Sequence, residues 1–315
     1  MLRPRVVVSA AIAIASLLVA RAAWRRSATL QFADPAFVAA VARPAYTSTH
    51  PRVAIDEGHH NIHTASGTYR PFAELLRHDG YDVVAFEGRF TATALEPVRV
   101  LVIANALGAP FPFMDAAHHP AFTDEECDAV VRWVERGGAL LLIADHAPAG
   151  AAARGLAAKF GVRMSGRTLH DSLHAVPPGP GTARHDGWLV FSRENYMLGA
   201  HSVVEGRDPG ERVRRVVTFT GQSLVADANA VPILRASDAA GEVDPVTGRE
   251  TTGVNRTQLV VRTFGRGRVA IAGEAAFLTA QVTNHKQTAF GMQHPASDDR
   301  QLALNLAHWL SGLLR

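Results

Sequence analysis

A single cysteine in 315 residues leaves no partner for an internal disulfide, so the fold must rest on its core or on a ligand. Charged residues make up only 19%, and the formal charge of +3 comes from scattered arginines, without a basic run. We expect no nucleic-acid partner. No internal repeat is present, and hydrophobics at 47% exclude a disordered chain. Nor does the apolar run near the start, Val6 to Ala20, reach the roughly 20 residues that a membrane-spanning helix takes.

That run suits the core of a signal peptide. Arg3 and Arg5 precede it, Arg21, Arg25 and Arg26 follow it, and Ala20-Arg21-Ala22 is a small-x-small cleavage site. Residues 1–26 are therefore expected to be a signal peptide or, as the alternative, an uncleaved membrane anchor. The protein is expected to be exported, touching the membrane only through this segment. Residues 27–51 read as a connector that enters the domain through Pro44 and Pro51, and residues 52–315 as the domain.

What is present in density is chemistry after one short strand. Val53 to Ile55 is a buried apolar run that ends in Asp56, Glu57, Gly58, His59, His60, Asn61, Ile62 and His63. From there strand and helix alternate. Pro71 to His78 opens with proline, carries Phe72, Leu75 and Leu76 at helical spacing, and stops before Gly80. Tyr81 to Phe86 and the apolar Val98 to Ala104 read as strands. Thr123 with Glu126 forms a capping box for a helix that stops at Gly137-Gly138, and Ala139 to Ala144 is a fourth strand. The spacing predicts a parallel sheet covered on both faces. Beyond Gly161 the pattern loosens into an added insertion of loops and strands. His170 to Gly187 is rich in Pro, Gly and His and reads as a long loop or lid. Val213 to Phe219, Val231 to Ala236, and a hairpin of Gln258 to Phe264 with Arg268 to Ala272 read as strands. The helix Asp299 to Leu313 closes the chain with Leu302, Leu306, Trp309, Leu310 and Leu313 on one stripe.

Several of these stretches together resemble the class I glutamine amidotransferase-like superfamily. They are Ala144-Asp145-His146-Ala147-Pro148, His201 to Gly206, Gly267 to Glu274, and the terminal Asn305-x-x-x-Trp309-Leu310. More closely, the chain resembles the DUF4350-type and trehalose-utilisation-type branches, from Arg52 to Leu314. The resemblance implies a flavodoxin-like, doubly wound, mostly parallel α/β sheet. It also implies a cysteine nucleophile on a sharp strand-to-helix turn, and here that turn, Ile143 to Ala147, has none. Cys127 lies on a helix face with Val130, Val131 and Val134, so it is read as core packing. Glutamine amidotransfer by the family mechanism is excluded.

In a doubly wound sheet the carboxyl ends of the parallel strands share one crevice, so Asp56 to His63, Asn105, Asp145, His146 and Glu274 are expected to converge. Asp145 is expected to be charged and His146 neutral, at the start of a helix near Pro148. Two functions follow from that convergence. In the first, a divalent metal such as zinc is held by some of His59, His60, His63, Asp145, His146 and Glu274 and activates water for hydrolysis, with Asp56 or Glu57 as general base. In the second, the same groups hydrogen-bond a small polar ligand, a sugar or peptide, without catalysis. Hydrolysis is the first expectation, although no H-E-x-x-H motif is present. A plainer role stands beside both: Asp56, or Asn61 with Thr64, caps the loop after the strand. Of the remaining histidines, His118, His119 and His294 are assigned to solvated loops, and His170 and His174 to lid contacts. Arg184 and Arg193 receive no role.

Overall fold

The structure is a computed structural model that describes residues 31–110, 119–176, 188–244, 247–253, 256–283 and 289–315. Its centre is a nine-stranded sheet, whose strands are labelled here in chain order. They are β1 (Arg52–Asp56), β2 (Asp82–Phe86), β3 (Val100–Ala104), β4 (Ala139–Ile143), β5 (Val162–Met164), β6 (Leu224–Ala226), β7 (Val231–Arg235), β8 (Thr257–Phe264) and β9 (Gly267–Ala272). The order across the sheet is β2-β1-β3-β4-β9-β8-β6-β5, with β7 also paired to β8.

β2, β1, β3, β4 and β9 run parallel to one another. The main helices are α1 (Arg70–His78), α2 (Asp124–Glu135), α3 (Arg154–Lys159) and α4 (Asp299–Ser311). Val53 and Ile55 of β1 face one core with Phe72 and Leu75 of α1 and Leu302 and Leu306 of α4. Ala54 faces the other core with Cys127 and Val130 of α2 and Leu156 of α3. The inner strands β1, β3, β4 and β9 are thus buried on both sides, which is why their sequences are apolar without alternation, whereas the edge strand β2 is only partly covered.

The expectation of a mostly parallel sheet needs correction in the second half. The tight turn at Gly265-Arg266 sends β9 back along β8, and β8 then recruits β6 and β7 antiparallel, with β5 beyond β6. The sheet is mixed. The insertion adds smaller antiparallel sheets, such as Thr168–His170 with Gly241–Val243 and Glu250–Thr252. Of the expected strand 213–219, Arg215–Val217 pairs with Val190–Ser192, and Thr218 exchanges backbone hydrogen bonds with Leu189 (3.0 and 3.1 Å).

Residues 31–51 lie against the domain. Gln31–Ala33 pairs with Ala280–Thr283, and Tyr46 donates through its amide to Asp79 O (3.0 Å) and through its hydroxyl to Ser311 Oγ (2.9 Å). Among the described residues no helix is long and apolar enough to cross a membrane. The run Val6 to Ala20 lies outside them.

Candidate functional site

At the end of β1 the chain turns through a loop braced by its own polar groups. Asp56 is fully buried and accepts from Gly58 N (3.2 Å), His59 Nδ1 (2.8 Å) and Asn61 Nδ2 (3.0 Å). Asn61 Oδ1 in turn accepts from His59 N (3.0 Å), while His60 reverses the backbone at φ 48°. His59 Nε2 reaches Glu126 Oε1 at 3.1 Å, and its ring packs between Phe90 and Phe122. Burial opposes a charge on His59, but the two carboxylates outweigh it and raise its pKa. Burial likewise pushes Glu126 up, yet the Thr123 amide, His59 and the Phe90 amide bring it below its usual value. Both ring nitrogens of His59 are occupied. Glu57 is engaged as well, accepting from Ala65 N at 2.7 Å.

The second half of the site follows from strand register. Ala104 pairs with Ile143, and Ile143 with Ala272, so Asn105, Asp145 and Glu274 leave adjacent strands at one end of the sheet. Asp145 Oδ2 accepts from Asn105 Nδ2 (2.7 Å), and Oδ1 accepts from Ala275 N (2.8 Å). Glu274 accepts from Ala276 N (2.7 Å) and Phe277 N (2.9 Å). Burial raises the pKa of both carboxyls, and Asp145 raises Glu274 further. Tyr69 joins them: its hydroxyl donates to Ala275 O (3.0 Å), and its ring stacks on His63 at 4.8 Å. His63 is buried with Nδ1 at 2.6 Å from Thr68 Oγ1, and burial lowers its pKa to about 4. His63 and Asp145 therefore lie at the same end of the sheet, linked through Tyr69 and Ala275.

At Asp145, expected to be charged, burial raises the pKa above the usual carboxylate value, against the opposing pull of Asn105, His146 and the Ala275 amide. The helix after Pro148, Ala149–Ala152, is a single turn. His146 is partly open and donates from Nδ1 to Ala147 O at 2.9 Å. The anticipated elbow at 143–147 is not where the strand-end backbone is strained; Asn105 is, at φ 48°.

The candidate metal ligands are not drawn together. His59 is enclosed by Asp56 and Glu126, His60 is exposed, and His63 sits against Tyr69. Among the described residues no three His, Cys, Asp or Glu side chains are grouped to hold an ion. Cys127 is buried in α2, where burial raises its thiol pKa to about 11, in keeping with a packing role. His170 pairs with Glu250 and His174 with Asp171; His119 is exposed, and His294 packs on Phe219. Arg193 pairs with Glu205. His118, Arg184 and the segment 177–187 lie outside the described residues.

Four site residues had no signal in the sequence beyond their local roles. Glu126 reads only as a capping residue, yet it reaches across to the β1 loop. Tyr69 reads as part of a helix entry. Gln222 is fully buried, accepts from Gly166 N (2.7 Å) and donates to Ala144 O (2.8 Å) and Asp145 O (3.0 Å), fixing the turn that carries Asp145. Asp299 is buried at the start of α4, its pKa raised first by burial and also by the charge of Glu274.

The chain matches no protein-family model and no curated protein. Among solved structures it is similar to the mmIFT52 N-terminal domain, with a TM-score of 0.58 at 13% identity over 82% of this chain and 97% of that one. It is also similar to a thua-like protein from Parabacteroides merdae (TM-score 0.44, 12% identity, 84% of this chain and 91% of that one). A GMP synthase-like protein from Thermoplasma acidophilum gives 0.42 at 10% identity, over 85% and 97%. At such identities the first likeness shows a shared fold and nothing more, and the weaker two carry no argument.

Proposed function

We propose that this is an exported amidotransferase-like domain, wound in the flavodoxin manner, that binds a small polar ligand such as a sugar or a peptide at the carboxyl ends of its parallel strands. The motifs at 144–148, 201–206 and 267–274 support the DUF4350-type and trehalose-utilisation-type relationship, and the order β2-β1-β3-β4-β9 supports the winding. One observation carries the binding reading. The groups nearest β1 are consumed in bracing their own loop, whereas Asp145 and His146 remain partly open at the strand ends, with Asp145 held in place by Asn105 and Ala275. Calorimetric titration with neutral sugars and short peptides tests it. Saturable binding that Asp145→Asn weakens at least tenfold, with unfolding temperature retained, is the expected result. Equal affinity in the variant removes the site from these residues.

Hydrolysis is the second reading, and the carboxyl pair favours it. Glu274 holds its proton to higher pH beside the more open Asp145, which is how an acid and a base divide their roles. Product release from a glycoside or peptide, lost in Glu274→Gln, distinguishes this reading from binding alone.

A further inference from the structure

At the opposite end of the sheet, where β3 and β4 begin, lies a cavity of about 520 Å³ whose lining includes Thr93, Glu96, Arg99, Trp133, Arg136 and Gly138. Its volume suits a small molecule. Arg99 donates from Nε to Ser311 O (3.0 Å) and from Nη1 to Gly137 O (2.8 Å), so it bonds carbonyl dipoles and pairs with no carboxylate among the described residues. Nη2 makes no hydrogen bond among the described residues. The charge of Arg99 is also felt by Arg268, whose pKa is lowered first by burial and then by that neighbour. Arg268 likewise donates to carbonyls, Trp309 O and Leu314 O.

Capping the end of α4 explains Nε of Arg99 and the contacts of Arg268. Nη2 lies at the same helix end, where a Cβ on Gly312 would come 3.0 Å from it, and there it makes no hydrogen bond among the described residues. Arg136 adds a second guanidinium that is exposed and makes no side-chain hydrogen bond or ion pair among the described residues. Glu96 is the one acidic group on the same lining, so the arginines outnumber it. The apolar wall is the Trp133 ring, seated so closely on Gly138 that a Cβ there would lie 2.2 Å from the ring.

We propose that this cavity is a second binding site, separate from the strand-end site, for a small organic anion. Arg99 Nη2 and Arg136 would grip its carboxylate or phosphate, and its apolar body would rest by Trp133. Titration calorimetry of the full chain at constant ionic strength tests this with three sodium salts: benzoate, inorganic phosphate and chloride. Saturable one-to-one binding of benzoate identifies a carboxylate with a flat body as the ligand class, and binding of phosphate alone identifies a phosphate group. In either case Arg136→Ala, a change at an exposed residue, should weaken binding about tenfold, and Arg99→Lys should weaken it while keeping the charge. Heats no larger than those of chloride, or affinity unchanged in Arg136→Ala, would overturn the assignment.

Discussion

Glu274 and His63 are both buried, and each is held in its neutral form, one as an acid and the other as a base. Their effects on stability therefore run in opposite directions with pH. Burial, and then Asp145, raises Glu274 from 4.5 to about 8. Its contribution is fully present below pH 4.5 and is lost as the pH rises toward 8, because the unfolded chain ionises first. His63 is lowered from 6.5 to about 4, so its contribution is full above 6.5 and is lost as the pH falls toward 4. Between 4.5 and 6.5 the two slopes, each up to about 1.4 kcal/mol per pH unit, offset one another. Denaturant unfolding across pH 4 to 9 should show a shoulder in that interval and a decline above it. The decline should flatten in Glu274→Gln, and in His63→Asn it should begin near pH 4.5 instead of 6.5, because the offsetting slope is gone. Stability that climbs steadily from pH 6.5 to 9 would contradict the burial of Glu274. Residue types at strand ends were readable from the sequence, since Asp56, His59, Asn61, Asn105, Asp145 and Glu274 do gather at one end. Their charge states were not, because desolvation is set by neighbours such as Tyr69, which is distant in sequence from Ala275.

Helix α2 shows how one element can serve two regions. Thr123 and Glu126 form the capping box that the sequence announces, with Thr123 Oγ1 accepting from Glu126 N and Glu126 Oε2 accepting from Thr123 N. The other oxygen of Glu126 accepts from Phe90 N and holds His59. Thr123→Ala should cost about 1 kcal/mol, the usual worth of a cap. Glu126→Ala should cost more, on the order of 3 kcal/mol, because it leaves His59 Nε2 and the Phe90 amide without a partner in a buried setting. Chemical denaturation of both variants checks the order, and a cost for Glu126→Ala no greater than for Thr123→Ala would refute the bracing role. A double change with His59→Ala should cost less than the sum of the single changes. Elements with strong punctuation, such as this helix and the doubly buried strands, were legible to within two residues or so. The three-residue strands β5 and β6 were not, since so short a pairing leaves no periodicity and depends on where β8 happens to lie.

On the scale of the whole molecule, the domain boundary at residue 52 divides what the structure packs together. Asp79 is fully buried between α1, α4 and the segment before β1: Oδ1 accepts from Ala45 N (2.9 Å) and Oδ2 bonds His308 Nε2 (2.7 Å). Arg43 reaches Asp208 and Glu211, and Arg300 donates to Val38 O and Ala40 O. Gly80, at φ 95°, admits this strap, because a Cβ there would lie 1.8 Å from Tyr46 O. A chain starting at Arg52 would lose these contacts and uncover Asp79, Tyr81 and the end of α4. Its unfolding temperature should fall about 10 °C below that of a chain starting at Ser27, taking several kcal/mol lost at roughly 2–4 °C each. Gly80→Ala separates the causes. In the longer chain it should be severely destabilising, since both the φ penalty and the collision with Tyr46 apply, whereas in the shorter chain only the φ penalty, about 1 kcal/mol, remains. Calorimetric melting of the four proteins measures the difference. Equal costs of Gly80→Ala in both lengths, or equal melting of the two parent chains, would mean that the segment before β1 contributes nothing to the stability of the sheet it covers.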